Sequence, residues 1–193
     1  MQCVELFLFY FVQIDDCISW VGYAIMYLQG KEREVRLMNK TIVFDMDGTI
    51  VDFYGVANWL EYLQDKNPIP YIVAQPLVDM GTLNALLNVL KSMGWRVVVT
   101  SWLAGGSTKE FDSEVRNAKL DWLEKYDFPF DEVHLVKYGT TKANCTRKLG
   151  GYQILVDDNE KVRNGWNLGV TINANENIIE EIKKIIISEW EKA

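Results

Sequence analysis

Three short, almost wholly apolar runs in this chain stop abruptly at acid or hydroxyl side chains. Thr41–Phe44 runs into Asp45-Met46-Asp47-Gly48-Thr49, Trp95–Thr100 into Ser101, and Tyr152–Asp157 into Asp158. Continuous rather than alternating hydrophobicity suits parallel strands covered on both faces. Glu132–Val136 and Leu168–Ile172 are weaker strands of the same kind. Helical spacing fills the intervals. Leu83, Leu86, Leu87 and Leu90 repeat at i, i+3, i+4, i+7 before Gly94, and Ile178, Ile182, Ile185 and Ile186 line a last helix through Trp190. Ser107 and Glu110 have capping-box spacing ahead of Phe111, Val115, Ala118 and Trp122. Strands alternating with helices predict an α/β three-layer sandwich around a mostly parallel, Rossmann-like sheet.

Composition narrows the functions open to such a fold. With 193 residues, 49% apolar and 24% charged, the chain is long enough for one well-buried core and is neither disordered nor a coiled coil. A net charge of −7 leaves no basic footprint for duplex nucleic acid. Cys3, Cys17 and Cys145 are odd in number and lack metal-ligand spacing, which predicts a reduced, cytoplasmic setting.

In open α/β sheets, ligands sit at the carboxyl ends of the strands. Here those ends offer Asp45 and Asp47, Thr100 and Ser101, Lys137 and Lys142, and Asp157 and Asp158. Carboxylates converging on one rim repel unless a cation stands among them. Without a Cys/His cluster, a hard oxygen-bound ion such as Mg²⁺ suits the set. An Asp carboxylate can act as a nucleophile on phosphorus, and a second carboxyl two residues on can serve as acid and base. A Thr hydroxyl, backbone N–H groups and a Lys then bind phosphoryl oxygens.

DMDGT at 45–49, VVVTS at 97–101, a lysine after the third strand and ILVDD at 154–158 together resemble the four ordered motifs of the haloacid dehalogenase-like phosphohydrolases. The resemblance implies Asp45 as nucleophile, Asp47 as acid/base, and Thr100, with Ser101 beside it, at the phosphate. It implies Mg²⁺ held by Asp45, the Asp47 backbone carbonyl and Asp158, with Asp157 standing behind. For the lysine, Lys137 ends its strand directly, whereas Lys142 follows Gly139-Thr140-Thr141 and opens a short helix at the rim. A loop that curls back favours Lys142.

Cap insertions largely set substrate choice in that family, and the linker between Ile50 and Trp95 is short. It holds a short helix near 57–64, an irregular loop over 65–78 with Pro68, Pro70 and Pro76, and the Leu83–Leu90 helix. A minimal or absent cap and an open site are expected. DMDGTIVDF also resembles the start of the 5′(3′)-deoxyribonucleotidases, which makes Phe53 a base-stacking candidate with Trp102 and Tyr54 nearby. Packing of Phe53 under the site and of Trp102 in the core is the competing reading. His134, mid-strand, reads as a core residue. The function expected is an Mg²⁺-dependent phosphomonoesterase acting on a nucleotide or other small phosphate ester. A phosphatase of nucleic-acid ends is one alternative, and a phospho-Asp signalling module is another. The intact Asp45/Asp47 pair followed by Gly-Thr favours turnover over signalling.

Residues 1–37 differ from the rest. Apolar runs Cys3–Ile14 and Cys17–Leu28 flank Asp15 and Asp16, and the first positive side chain is Lys31. Each run is shorter than the roughly 20 residues that a spanning helix needs, and a single span would put two carboxylates near the membrane centre. Glu32-Arg33-Glu34-Val35 can be encoded by purine-rich triplets resembling a ribosome-binding sequence just ahead of Met38. The expected division is an apolar extension at 1–37 and a phosphatase domain at 38–193 that starts functionally at Met38, a membrane-surface anchor being the alternative. A protein beginning at Met38 should therefore match the full chain in solubility, melting temperature and activity. Loss of folding or activity on truncation refutes the leader reading.

Overall fold

The computed structural model describes residues 39–192, so the expectation for the apolar extension and the Met38 start lies outside the described residues. Five strands form one all-parallel sheet: β1 (Lys40–Phe44), β2 (Trp95–Trp102), β3 (Glu132–Val136), β4 (Tyr152–Asp157) and β5 (Gly169–Asn173). Their spatial order is β3-β2-β1-β4-β5. The helices are α1 (Trp59–Gln64), α2 (Ile69–Val73), α3 (Met80–Ser92), α4 (Lys109–Lys125), α5 (Lys142–Thr146), α6 (Glu160–Asn164) and α7 (Ile178–Trp190). No described helix is long and apolar enough to cross a membrane.

Side chains of successive strand residues point to opposite faces, and the core divides accordingly. Ile42, Phe44, Val97, Val99, Ile154 and Val156 pack against Leu83, Leu87 and Leu90 of α3, Phe111, Val115 and Trp122 of α4, and Ile178, Ile182 and Ile186 of α7. Val43, Val98 and Leu155 face the other way, onto Ala143 of α5 and Trp166. These two clusters make the three layers that the sequence pattern predicts.

β1 lies between β2 and β4, where the strand order reverses, which is the usual ligand position in such sheets. Phe44 is in register with both Val99 and Val156. Asp45, Thr100 and Asp157 therefore stand at one level and, by alternation, on one face. Asp45 is held to β4 through its N–H, which donates to the Val156 carbonyl at 3.0 Å.

The linker after β1 is more ordered than its prolines suggest. The stretch 65–78, expected to be irregular, contains α2, a short helix with Pro at its start, where a missing N–H costs nothing. Its neighbour α1 ends in a Schellman motif: Asn67 N–H donates to the Tyr62 carbonyl at 2.8 Å and Lys66 N–H to the Leu63 carbonyl at 3.2 Å. Lys66 occupies the left-handed position at φ 55°, where glycine is the favoured residue. The indole N–H of Trp122 in α4 donates to the Ala74 carbonyl at 2.9 Å, clamping this linker to the domain. The linker thus holds two short helices rather than a separate layer.

Two local expectations are corrected. The N-cap of α4 is Thr108, whose hydroxyl accepts from Phe111 N–H at 3.2 Å, and not Ser107. His134 is half-buried on edge strand β3, 3.2 Å from the Glu132 carboxylate, and not a core side chain. Because Leu87 is completely buried against the sheet, Leu87→Ala should lower unfolding free energy by about 2–5 kcal/mol. Urea denaturation measures it, and a loss under about 1 kcal/mol would contradict this packing.

Candidate active site

The turn after β1 carries both proposed acids. Its Met46 carbonyl accepts from the N–H groups of Thr49, Ile50 and Val51, which winds the chain tightly beyond the strand. Gly48 sits at φ 78°, and a Cβ there would stand 2.7 Å from Asp158 Oδ2 and 2.8 Å from the Tyr54 ring. Only glycine meets both demands. The turn leads Asp45 and Asp47 into different surroundings.

Asp45 forms an ion pair at 2.9 Å with the Lys142 ammonium, which also donates to Asp157 Oδ2 at 2.7 Å. Lys142 is buried and opens α5, reached by a turn in which Thr140 N–H donates to the Lys137 carbonyl at 3.0 Å. Lys137 itself is exposed. The rim lysine that meets the carboxylates is thus Lys142. Its ammonium lies 5.1 Å from the centre of the Trp102 ring. Although burial opposes its charge, Asp45 and Asp157 raise its pKa overall.

Oxygens of Asp45, Asp157 and Asp158 lie within 4.8 Å of one another. Asp157 is fully buried, with one oxygen on Lys142 and the other accepting from Asn159 N–H at 2.9 Å. Burial, then the neighbouring Asp45 charge, push its carboxyl up to about 6 against the opposing pull of Lys142. Asp158 is more open, and among the described residues its side-chain partner is the Thr49 hydroxyl at 3.4 Å. Burial and Asp45 raise its pKa as well. The side chain of Asp47 is not in this trio.

Asp47 instead meets Lys119, a residue that the sequence pattern left unremarked. The Lys119 ammonium donates to Asp47 Oδ2 at 2.6 Å, to the Ser101 hydroxyl at 2.8 Å and to the Trp102 carbonyl at 2.9 Å. Its side chain is only 1% exposed. Burial raises the Asp47 carboxyl above its ordinary range, Lys119 pulls it back and Asp45 adds to the rise. The signal was available: Lys119 follows Val115 by four residues and precedes Trp122 by three, so it stands within the apolar stripe of α4.

Thr100 and Ser101 part company. The Thr100 hydroxyl is buried without a partner among the described residues, on the face that carries Asp45. Ser101 turns to Lys119 and lines the pocket. Phe53 is both buried and part of the pocket wall, within an aromatic group that includes Tyr71, its ring centre 4.6 Å away, and Trp59 at 5.6 Å. Trp102 is half-buried rather than core, and its indole N–H donates to the Thr140 carbonyl at 2.8 Å. Tyr54, 53% exposed, and Tyr138, 67% exposed, also line the cavity. The space totals about 400 Å³. No protein-family model and no curated protein matches this chain.

Because Lys119 and Asp47 are mutually enclosed, Lys119→Met should cost about 3 kcal/mol of stability by stranding a carboxylate. A double-mutant cycle with Asp47→Asn should return a coupling above about 1 kcal/mol. Strictly additive effects would show that the pair is not coupled.

Proposed function

We propose that this chain is an Mg²⁺-dependent phosphomonoesterase acting through a phospho-Asp45 intermediate. The observation that carries this reading is the division of labour at the rim: Asp45 sits with Lys142, Asp157 and Asp158, while Asp47, two residues on, is held separately by Lys119. This arrangement supports the expectation drawn from the four motifs.

A hard divalent cation fits the donors present. The trio is all oxygen, without thiolate or imidazole. With all four rim carboxylates ionised, Lys119 and Lys142 leave two negative charges unbalanced. Asp45, Asp158 and the Asp47 backbone carbonyl would hold the ion, since both Asp157 oxygens are already engaged. Bound there, Mg²⁺ supplies charge neutralisation at the phosphoryl oxygens.

In the proposed reaction Asp45 attacks phosphorus and the ester oxygen departs, taking a proton from the Asp47 carboxyl. Asp47, now a carboxylate, removes a proton from water as that water attacks the aspartyl phosphate. Inorganic phosphate leaves and Asp45 is restored. Lys142 and the unpartnered Thr100 hydroxyl steady the phosphoryl oxygens. Lys119 fixes the Asp47 carboxylate and relieves part of its burial cost. An aromatic wall of Phe53, Trp59, Tyr71 and Trp102 beside this rim favours an ester with a flat ring, such as a nucleotide. Duplex nucleic acid is not an expected partner.

A phosphate-release screen over nucleotides, sugar phosphates and end-phosphorylated oligonucleotides tests the reading. Release should vanish in Asp45→Asn and on Mg²⁺ chelation, and Lys142→Ala should damage it more than Lys137→Ala. Sustained turnover by folded Asp45→Asn would sink the covalent route.

A further inference from the structure

The cavity of about 400 Å³ leaves most of its space to the part of a ligand beyond a phosphoryl group, and one cation in its wall has no evident task there. Lys119 and Lys142 are buried and neutralised by carboxylates. Lys66 is exposed, lines the same cavity, and among the described residues donates only to an uncharged acceptor, the Gly106 carbonyl at 2.8 Å. The backbone position it occupies favours glycine. A lysine stands there instead, against the local conformational preference, on the wall of a pocket whose other ionised groups are mainly carboxylates. Those carboxylates would repel a second negative charge on a ligand unless a cation met it.

We infer that Lys66 reads an oxyanion on the leaving-group side of the substrate, so that the favoured ester carries a second phosphate or a carboxylate remote from the reacting phosphoryl group. The inference rests on the reading of this pocket as a phosphate-ester site. A lysine is a point charge on a flexible stem, which suits either oxyanion. Its exposed bond to Gly106 is readily exchanged for a ligand.

Calorimetry on the full chain carrying Asp45→Asn tests this without turnover. The probes are two pairs: benzylphosphonate against 4-carboxybenzylphosphonate, and a nucleoside 5′-monophosphate against its 3′,5′-bisphosphate. In at least one pair the member with a second acidic group should bind about tenfold more tightly. Both Lys66→Gly and Lys66→Gln should erase that preference while changing affinity for the member with only the phosphoryl or phosphonyl group less than about twofold. The carboxylate pair and the bisphosphate pair separate the two sources of charge. Equal affinities within both pairs, no binding by any probe, or a preference that survives both substitutions would overturn the inference. So would a loss shared equally by both members, which would make Lys66 a strap to Gly106 and nothing more. A charge preference in a protein whose wild type releases no phosphate would uphold Lys66 and sink the hydrolase. Turnover without such a preference would do the reverse.

Discussion

Two buried ammonium groups govern the rim of this sheet. A lysine enclosed in protein is costly unless carboxylates meet it, and a carboxylate stripped of its lysine is costlier still. Lys119 and Lys142 satisfy this condition from opposite layers, one on the long helix α4 and one at the start of α5. Each is also close to an aromatic ring: Lys119 lies 5.2 Å from the centre of Tyr71 and Lys142 lies 5.1 Å from that of Trp102. Such contacts attract an ammonium group with no further acid. Lys142 joins Asp45 to Asp157, and Lys119 joins Asp47 to Ser101 and Trp102 at the end of β2.

Sheet parity turns the pairings into two environments. Asp45, Thr100 and Asp157 share a level because β1 is in register with both β2 and β4, and alternation directs them toward α5. Ser101, one residue beyond Thr100, points the other way and shares Lys119 with Asp47. Alternation alone would keep Asp45 and Asp47 on one face. It is the turn wound on the Met46 carbonyl that gives two carboxyls only two residues apart different lysines. Such separation is what a nucleophile and an acid/base partner need on the proposed chemistry, since like carboxyls in one site interfere with each other's ionisation.

The strands, the layers and the motif carboxylates were legible because each depends on local composition: a buried parallel strand must be apolar throughout, and its end must be polar. Lys142 was legible as a candidate because the turn before it contains Gly139, at φ 80°, a conformation that reverses the chain. Features decided by competition between equal local signals were not. Ser107 and Thr108 both suit a helix cap, and backbone geometry alone gives the role to Thr108. Three prolines in 65–78 suggest loop, yet a proline in the first turn is compatible with the short helix α2. Lys119 lay in plain view as a charge on an apolar stripe. Its meaning required knowing that α4 packs beneath the turn that follows β1.

That placement makes α4 the shared support of the Asp47 carboxylate and the aromatic wall. Lys119 projects from it to Asp47, and Trp122, three residues further, binds the Ala74 carbonyl in the linker that supplies Phe53, Trp59 and Tyr71 of the aromatic wall. Tyr71 of that wall lies close to Lys119 itself. Lys66, at the end of α1, reaches Gly106 in the loop that leads into α4. The aromatic wall is therefore not an independent lid hinged away from the core. It is fastened to the helix whose Lys119 holds Asp47, so wall and carboxylate share one support. The pocket is defined through this common attachment, which on the proposed chemistry ties the esters it admits to the geometry of the reacting groups.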